Sequence, residues 1–458
     1  MSEYLHLNVV ILAAGQGTRM KSSLPKVLHP LAGVPLLQHV INTSKELKPK
    51  LINVVYGHGG EQVQGVISEK DINWVLQEQQ LGTGHAVEQV SDQLKDDELV
   101  LILYGDVPLI HIDTLADLLK QASDGISLLT VHLEKPQGYG RIVRNKSGQV
   151  ENITEEKDAS DEIKKIHEVN TGILAVKANL LKKWLNRLDN NNAQEEYYLT
   201  DVIAMAVKDN FTVHTTQPDN EFEVMGVNNR IQLAELERYY QQEQAIKLMT
   251  AGITLADPAR IDIRGHLTHG KDIFIDINTV IEGNVSIGNN VSIGANCVIK
   301  DSKIADDVVI LPMSILDNTS VGKESKVGPY ARLRPGAVLS DNTHIGNFVE
   351  IKKSFIGVGS KVNHLTYIGD SLVGKNVNIG AGTITCNYDG ANKHQTIIGD
   401  DVFVGSATQL VAPVKIGKNA TIGAGSTITT DVSEDELAIT RVKQKSIQGW
   451  KRPVKTKK

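Results

Sequence analysis

Aliphatic residues recur every six positions through the second half of the chain. They run Ile275, Ile281, Ile287, Ile293 and Ile299, then Val321, Val327, Leu333, Leu339, Ile345 and Ile351, then Ile398, Val404, Leu410, Ile416, Ile422 and Ile428. A glycine often follows at once, as in Ile287-Gly288, Ile345-Gly346 and Ile422-Gly423. A period of six suits neither an α-helix nor a hairpin. It suits a coil whose flat sides are short strands, each with one inward aliphatic, and whose corners use glycine for positive φ. The pattern predicts a parallel β-helix in which every coil stacks its aliphatics on the coil below, so that no repeat is stable alone. The first half keeps another rhythm. Apolar runs such as Leu7 to Ala13, Ile52 to Tyr56 and Leu99 to Tyr104 alternate with amphipathic stretches such as Leu36 to Leu47, Leu115 to Ala122 and Leu180 to Leu188. That alternation predicts a mostly parallel, doubly wound α/β sheet. Leu233, Leu236 and Tyr240 predict an amphipathic helix from about Arg230 to Met249, with Gly252 past its end. The expected division is 1–229, a linker helix 230–252, and 253–458.

Composition narrows the partners. The 458 residues are 41% hydrophobic and 22% charged with a net charge of −6, enough to bury two or three cores. The basic run Lys451 to Lys458 reads as a solvated terminus, so no nucleic-acid partner is expected. The start, Met1 to Val10, lacks a cationic stretch followed by a long apolar one, and no segment approaches the ~18 apolar residues of a membrane span. Cytoplasmic residence is the expectation, with no membrane partner. Cys297 and Cys386 are too few and too far apart for a disulfide framework or a zinc site.

In doubly wound sheets, ligands bind beyond the carboxyl ends of the strands. At the end of the first apolar run stands Leu12-Ala13-Ala14-Gly15-Gln16-Gly17-Thr18-Arg19-Met20, followed by Leu24-Pro25-Lys26. Small residues let backbone N–H groups approach phosphate oxygens, and Arg19 and Lys26 add the positive charge a triphosphate needs. Met20 replaces the third glycine of a dinucleotide fingerprint, and the run is not a P-loop. Tyr104-Gly105-Asp106 places a carboxylate at another strand's end, a plausible Mg²⁺ ligand because Mg²⁺ needs only one or two protein oxygens beside phosphates.

The first run resembles the signature of sugar-1-phosphate nucleotidyltransferases. The resemblance implies that Leu12, Ala13, Ala14, Gly15, Arg19 and Lys26 hold a nucleoside triphosphate. It implies that Gln77 with Gly82 and Thr83 of Leu81-Gly82-Thr83-Gly84-His85 reads a uracil, and that Tyr104, Gly105 and Asp106 complete the UTP site. It further implies that Asp106 and Asn228 bind Mg²⁺, and that Gly140, Glu155, Asn170 and Asn228 hold the sugar phosphate. No strong base is required, because the sugar phosphate is already an anionic nucleophile; the task is to align an in-line attack and spread charge.

The solenoid's beat lapses between Ile379 and Ile398, across a polar and aromatic insert from Thr383 to His394. Such a loop can cover a neighbouring site. Just before it, Val362 and Ile368 keep the beat, which leaves His364 on a corner or outer face, free to act as a base on an amine. The hexapeptide repeats resemble those of left-handed β-helical acyltransferases, generally trimers with the acyl donor between neighbouring prisms.

Arg334, Lys352, His364, Tyr367, Asn378, Asn387 and Tyr388 together resemble the acetyltransferase site of the bifunctional bacterial N-acetylglucosamine-1-phosphate uridylyltransferase/glucosamine-1-phosphate acetyltransferase family. The likeness spans Leu12 to Arg441. It implies that His364 is the base, that Arg334, Lys352, Tyr367 and Asn378 hold glucosamine-1-phosphate, and that Ala381, Asn387, Tyr388, Lys393, Ser406, Ala424 and Arg441 line the acetyl-CoA channel. It also implies a homotrimer that makes N-acetylglucosamine-1-phosphate and uridylylates it. Two alternatives are a nucleotidyltransferase whose β-helix only regulates, against which His364, Lys352 and the insert argue, and a non-catalytic assembly protein, against which Arg19, Lys26 and Asp106 argue.

Overall fold

The computed structural model describes residues 6–57, 60–122 and 125–455. The first five residues of the Met1 to Val10 start and the last three of the basic tail lie outside them. Two compact units divide between Tyr240 and Gln241, inside the helix Arg230–Thr250.

In the first unit the described residues form a nine-stranded sheet. Its order is Val213–Thr216, Ile126–His132, Glu168–Lys177, Leu99–Tyr104, Leu7–Ala13, Leu51–Tyr56 and Ile72–Leu76, with Arg141–Arg144 pairing Glu168–Lys177 and Val150–Thr154. The strand Leu7–Ala13 is parallel to both neighbours, whereas Glu168–Lys177 runs antiparallel to Leu99–Tyr104 and Ile126–His132. Every side chain of Leu7–Ala13 is buried. Leu7, Val9, Ile11 and Ala13 pack into one core with Leu37, Val40 and Leu115. Val10 and Leu12 enter another with Leu181, Trp184 and Val202. Helices cover both faces, which is why this strand reads as a continuous apolar run rather than an alternating one.

The second unit is a parallel β-helix. One column runs Ile275, Ile293, Ile310, Val327, Ile345, Val362, Ile379, Val404, Ile422 in register. A second runs Ile281, Ile299, Leu316, Leu333, Ile351, Ile368. A third runs Ile287, Ile304, Val321, Leu339, Ile356, Val373, Ile398, Ile416. All are buried in one continuous core. Gln241 caps the stack, donating from Nε2 to the Ile263 carbonyl at 2.9 Å and accepting from its N–H at 2.7 Å.

Three details revise the sequence reading. The beat does not stop at Ile299 or Ile351; a step shortens to five, and Ile304 and Ile356 resume it. Nor does it lapse directly after Ile379, because buried Thr385 takes the next inward position in register with Leu410, so the projecting part begins only after Cys386. Glycine takes positive φ at only some of the corners. Positive φ falls about three residues past the beat, on glycine at Gly336 (82°), Gly359 (73°), Gly382 (73°) and Gly425 (70°), and on asparagine, which tolerates it, at Asn290 (55°), Asn296 (59°), Asn376 (54°) and Asn419 (56°). The glycines directly after the beat serve close approach between coils: a Cβ on Gly346 would stand 2.0 Å from the Asn363 carbonyl oxygen, and one on Gly288 2.5 Å from Asp306 Oδ1. Asparagine and aspartate stack along the corners, as in Asn290 Nδ2 to Asp307 Oδ1 at 2.7 Å and Asn419 Nδ2 to Asp435 Oδ1 at 2.6 Å.

Candidate functional sites

At the carboxyl ends of the first unit's central strands lies a cavity of about 600 Å³ lined by Leu12, Ala13, Ala14, Gly15, Lys26, Gln77, Gly82, Thr83, Tyr104, Asp106 and Asn228, among others. The turn after the first strand is built around Gly17, whose φ is 62° and whose Cβ would meet Lys26 Cβ at 2.7 Å. A side chain there would therefore push Lys26 aside. Gln77 is buried, and its Nε2 donates to the Gly82 carbonyl at 3.1 Å and meets His85 Nδ1 at 3.0 Å, which ties together the two parts of the segment expected to read a uracil.

The polar centre of this cavity is compact. Lys26 Nζ pairs with Asp106 Oδ2 and donates to Asn228 Oδ1 at 3.3 Å, while Arg19 Nη2 donates to the same Asn228 oxygen at 2.9 Å. Asn228 reaches Asp106 because Val227 N–H donates to the Asp106 carbonyl at 2.9 Å. The loop carrying Asn228 is thus pinned to the strand end carrying Asp106, across a sequence separation that no local pattern could reveal. Gly105 closes the wall, with Leu37, Ala13 and Val27 at 3.2, 3.3 and 3.4 Å from where its Cβ would be.

Gly140, Glu155 and Asn170 form a second cluster. The Asn170 N–H donates to the Gly140 carbonyl at 2.8 Å, a Cβ on Gly140 would lie 3.3 Å from Glu155 Oε1, and the Thr200 hydroxyl donates to the same Glu155 oxygen at 3.1 Å. Burial pushes the Glu155 carboxyl up from the ordinary range, with Asp201, Asp158 and Glu196 adding to it. Tyr104 links this cluster to the cavity it lines. Its ring leaves no room for a side chain at Gly172, and burial with the nearby Glu155 and Asp106 charges pushes its phenol upward.

In the β-helix the expected residues fall on two adjacent faces. Arg334 and Lys352 occupy successive coils of one face, with the Arg334 N–H donating to the Ile351 carbonyl at 2.8 Å. Tyr367 follows on the next coil, beside Lys352's neighbour Gly369. Arg334 Nη1 pairs with Glu350 Oε1 at 2.8 Å, which holds the guanidinium firmly charged. Lys393, returning from the insert, stands beside Lys352 and lowers its pKa. Asn387 is anchored by donating from Nδ2 to Asp370 Oδ2 at 2.5 Å, whereas Tyr388 is 60% exposed. The projecting insert is internally braced, with Asp389 accepting from the Ala391 and Asn392 N–H groups at 2.8 and 2.6 Å and pairing with His394.

His364 lies on the other face and is exposed. Its Nδ1 meets Asn347 Oδ1, one coil below, at 3.0 Å. That acceptor places the proton on Nδ1 and leaves Nε2 free as a base. Registers Val362 to Ile379 to Val404 to Ile422 put His364, Ala381, Ser406 and Ala424, each two residues further on, in one column. Arg441 Nη1 donates to the Ala424 carbonyl at 2.8 Å and closes the column. Asn378 lies on the same face as His364. Hence one chain gathers His364 with the small-residue column and Asn378, and separately gathers Arg334, Lys352, Tyr367 and the insert, with a corner at Leu365 between them.

Sequence reasoning missed Asn347, Glu350 and Asp370. Asn347 sits seventeen residues before His364, one coil's length, so the repeat itself held the signal.

Among the described residues no group of three or more His, Cys, Asp or Glu side chains could hold a metal, and no helix is long and apolar enough to cross a membrane. Three families match the chain: the MobA-like NTP transferase domain over residues 9–167, the GMPPB C-terminal domain over 263–345, and the bacterial transferase hexapeptide (six repeats) over 395–430. A relative from Marinobacter nauticus, named bifunctional protein GlmU, is 60% identical over 450 residues, which is 98% of this chain and 99% of that one. Among solved structures, a UDP-glucose pyrophosphorylase complexed with UDP-glucose is 15% identical with a TM-score of 0.43, covering 52% of this chain and 98% of its own. A nucleotidyl transferase from Methanothermobacter thermautotroptrophicus is 17% identical with a TM-score of 0.39, covering 52% of this chain and 99% of its own.

Proposed function

The chain belongs to the family of the bifunctional protein GlmU, and on that footing we propose that it acetylates glucosamine-1-phosphate with acetyl-CoA and then transfers UMP from UTP to the product. The outcome is UDP-N-acetylglucosamine and pyrophosphate. The observation that carries this reading is that each compact unit holds its own convergent cluster: Arg19, Lys26, Asp106 and Asn228 in one, and His364 with its Asn347 partner in the other.

In the uridylyl site, Lys26 and Arg19 hold the phosphates of UTP, the segment around Gln77, Gly82 and Thr83 takes the uracil, and Gly140, Glu155 and Asn170 take the sugar. A phosphate oxygen of N-acetylglucosamine-1-phosphate attacks the α-phosphorus in line, the bond to pyrophosphate breaks, and the two cations offset the developing charge. The residues fit a magnesium ion, since the Asp106 carboxylate and the Asn228 carbonyl oxygen both face a single cation, the Lys26 ammonium. Asp106 and Asn228 would hold it, and a bound Mg²⁺ supplies charge neutralisation between phosphate oxygens.

In the acetyl site, Arg334, Lys352, Tyr367 and Asn378 hold glucosamine-1-phosphate. Ala381, Ser406, Ala424 and Arg441 line the acetyl-CoA channel with Asn387, Tyr388 and Lys393. The amine attacks the thioester carbonyl, His364 Nε2 takes its proton, and the carbon–sulfur bond breaks to give the amide and free CoA thiol. Because the two halves of this set lie on different faces of one chain, the reading includes a homotrimer in which neighbouring prisms bring them together. An exposed apolar corner supports it: Met313, Tyr330, Phe348 and Leu365 take positive φ at 50–63°, costly for bulky side chains, and the Tyr330 and Phe348 rings stack at 5.2 Å. The free thiols of Cys297 and Cys386 support a reducing, cytoplasmic setting.

The test incubates the protein with glucosamine-1-phosphate, acetyl-CoA, UTP and Mg²⁺ while following thiol and pyrophosphate separately. His364→Ala should slow thiol release by about 10²–10⁴-fold, the range of a general base, and leave pyrophosphate release from supplied N-acetylglucosamine-1-phosphate intact. Asp106→Ala should do the reverse. Pyrophosphate release without any thiol release in the unaltered protein would remove the acetyl half of the proposal.

A further inference from the structure

Arg141 is one of the largest fully buried side chains of the chain, with a side-chain exposure of 1%. Its Nη1 donates to the Tyr139 carbonyl, its Nη2 lies 2.8 Å from Glu156 Oε2 in an ion pair whose alignment falls short of a hydrogen bond, and neither its Nε nor that Glu156 oxygen has a hydrogen-bond partner among the described residues. Its strand pairs it with Thr154 on one side and Val169 on the other. A buried guanidinium that leaves one donor unpaired is costly, and an apolar side chain of similar size would serve packing alone at least as well.

The partners show what the cost supports. Tyr139 directly precedes Gly140, Glu156 directly follows Glu155, and Val169 directly precedes Asn170. Gly140 and Glu155 therefore each have a chain neighbour held by the Arg141 side chain, while Asn170 is tied to them through its N–H, which donates to the Gly140 carbonyl at 2.8 Å. The planar guanidinium keeps the nitrogen that holds the Tyr139 carbonyl and the nitrogen that faces the Glu156 carboxylate at a fixed separation, which a single ammonium cannot do.

We propose that Arg141, with Glu156 as its counter-ion, is the positioning and specificity-determining residue of the sugar subsite, spacing Gly140 and Glu155, and through the Gly140 carbonyl Asn170, around the N-acetylated sugar without touching it. The inference rests on the uridylyl reading of that subsite. Its consequence is selective: nucleotide binding depends on the turn at Gly17 and on Arg19, Lys26 and Asp106, whereas the Arg141 side chain contacts Tyr139 and Glu156.

Full-length Arg141→Lys, Arg141→Met, Glu156→Gln and Glu155→Gln are compared with the unaltered protein. The measurements are KM and kcat for UTP, for N-acetylglucosamine-1-phosphate and for glucose-1-phosphate, together with melting temperature. Arg141→Lys and Arg141→Met should raise KM for the N-acetylated sugar phosphate by about tenfold or more, since small displacements of positioning groups have large effects. Preference over glucose-1-phosphate should shrink by a similar factor, with KM for UTP within about twofold, and Glu156→Gln should do the same more weakly. If Arg141→Met does not fold, Arg141→Lys and Glu156→Gln suffice. The inference is overturned if Glu155→Gln weakens sugar binding while both of these leave the preference unchanged. It is equally overturned if they damage the UTP and sugar constants alike in step with a lowered melting temperature. If Glu155→Gln itself changes nothing for the sugar, the subsite reading has failed and takes this inference with it.

Discussion

Gly15 in the N-terminal unit has nothing within 4 Å of where a Cβ would stand, whereas a Cβ on Gly346 in the β-helix would press into the next coil's backbone at 2.0 Å. The same residue type thus answers different demands. In the α/β unit helices cover both faces of the sheet, the core is divided between those faces, and a glycine at a strand's end leaves open space that a ligand's phosphate can enter. In the β-helix, successive coils stack directly, so the glycines that follow the inward aliphatics serve backbone-to-backbone approach and chemistry must sit on the outward positions. A site in the first unit is a hollow between strand ends. A site in the second is a surface whose parts lie on two faces.

Removing packing from the β-helix should separate the two units most strongly. Ile351→Ala, fully buried in a column that touches a coil above and below, should cost about 2–5 kcal/mol. It should lower the denaturation midpoint of the acetyltransferase unit, followed by thiol release, before that of uridylyl transfer. Simultaneous loss of both activities at every denaturant concentration would show that the units do not unfold separately.

The two glycines give the next contrast. Gly346→Ala should cost about 1–3 kcal/mol by overpacking, read as a shift in melting temperature. Gly15→Ala should shift stability by less than ~0.5 kcal/mol, as an exposed substitution with room for its methyl. It should nonetheless raise KM for UTP by roughly ten- to a hundredfold, the worth of a lost hydrogen bond to a charged group. A Gly15→Ala protein with unchanged UTP kinetics would mean that phosphate does not approach that backbone.

The smallest effect is pH-dependent and confined to the first unit. Burial, with Asp189 and Asp158 nearby, pushes Asp201 up to about 6 from 3.8. The folded state therefore holds this proton more tightly than the unfolded one. The stabilisation is present below pH ~4 and is lost as pH rises towards about 6. After solvent screening the difference should be below about 1 kcal/mol. Asp201→Asn should flatten that slope in the melting temperature of the first unit; a slope equal to that of the unaltered protein would assign the effect elsewhere.

Legibility in the sequence followed the same divide. The strand Leu7–Ala13, the helix Arg230–Thr250 and the aliphatic columns were readable because burial imposes a period or a run on consecutive residues. The phosphate turn was readable because its small residues and its two cations lie within fifteen positions, Leu12 to Lys26. Thr385 escaped notice because a hydroxyl can fill an inward position when it finds partners, as its Oγ1 does by accepting from the Gly369 N–H at 2.8 Å. Arg141 was invisible as a buried charge, since its partners come from a turn and from strands separated in sequence.

The sequence by itself determined the two architectures, the order of the units and the residue types available for phosphate and amine chemistry, because periodicity, turn chemistry and charge are local properties. Only the tertiary structure decided that Asn228 meets Asp106 through Lys26, that Asn347 lies under His364, and that the acetyl-site residues divide between two faces. Those facts depend on which distant segments share a register or a strand end. That is set by the packing of the whole unit rather than by any neighbouring residue.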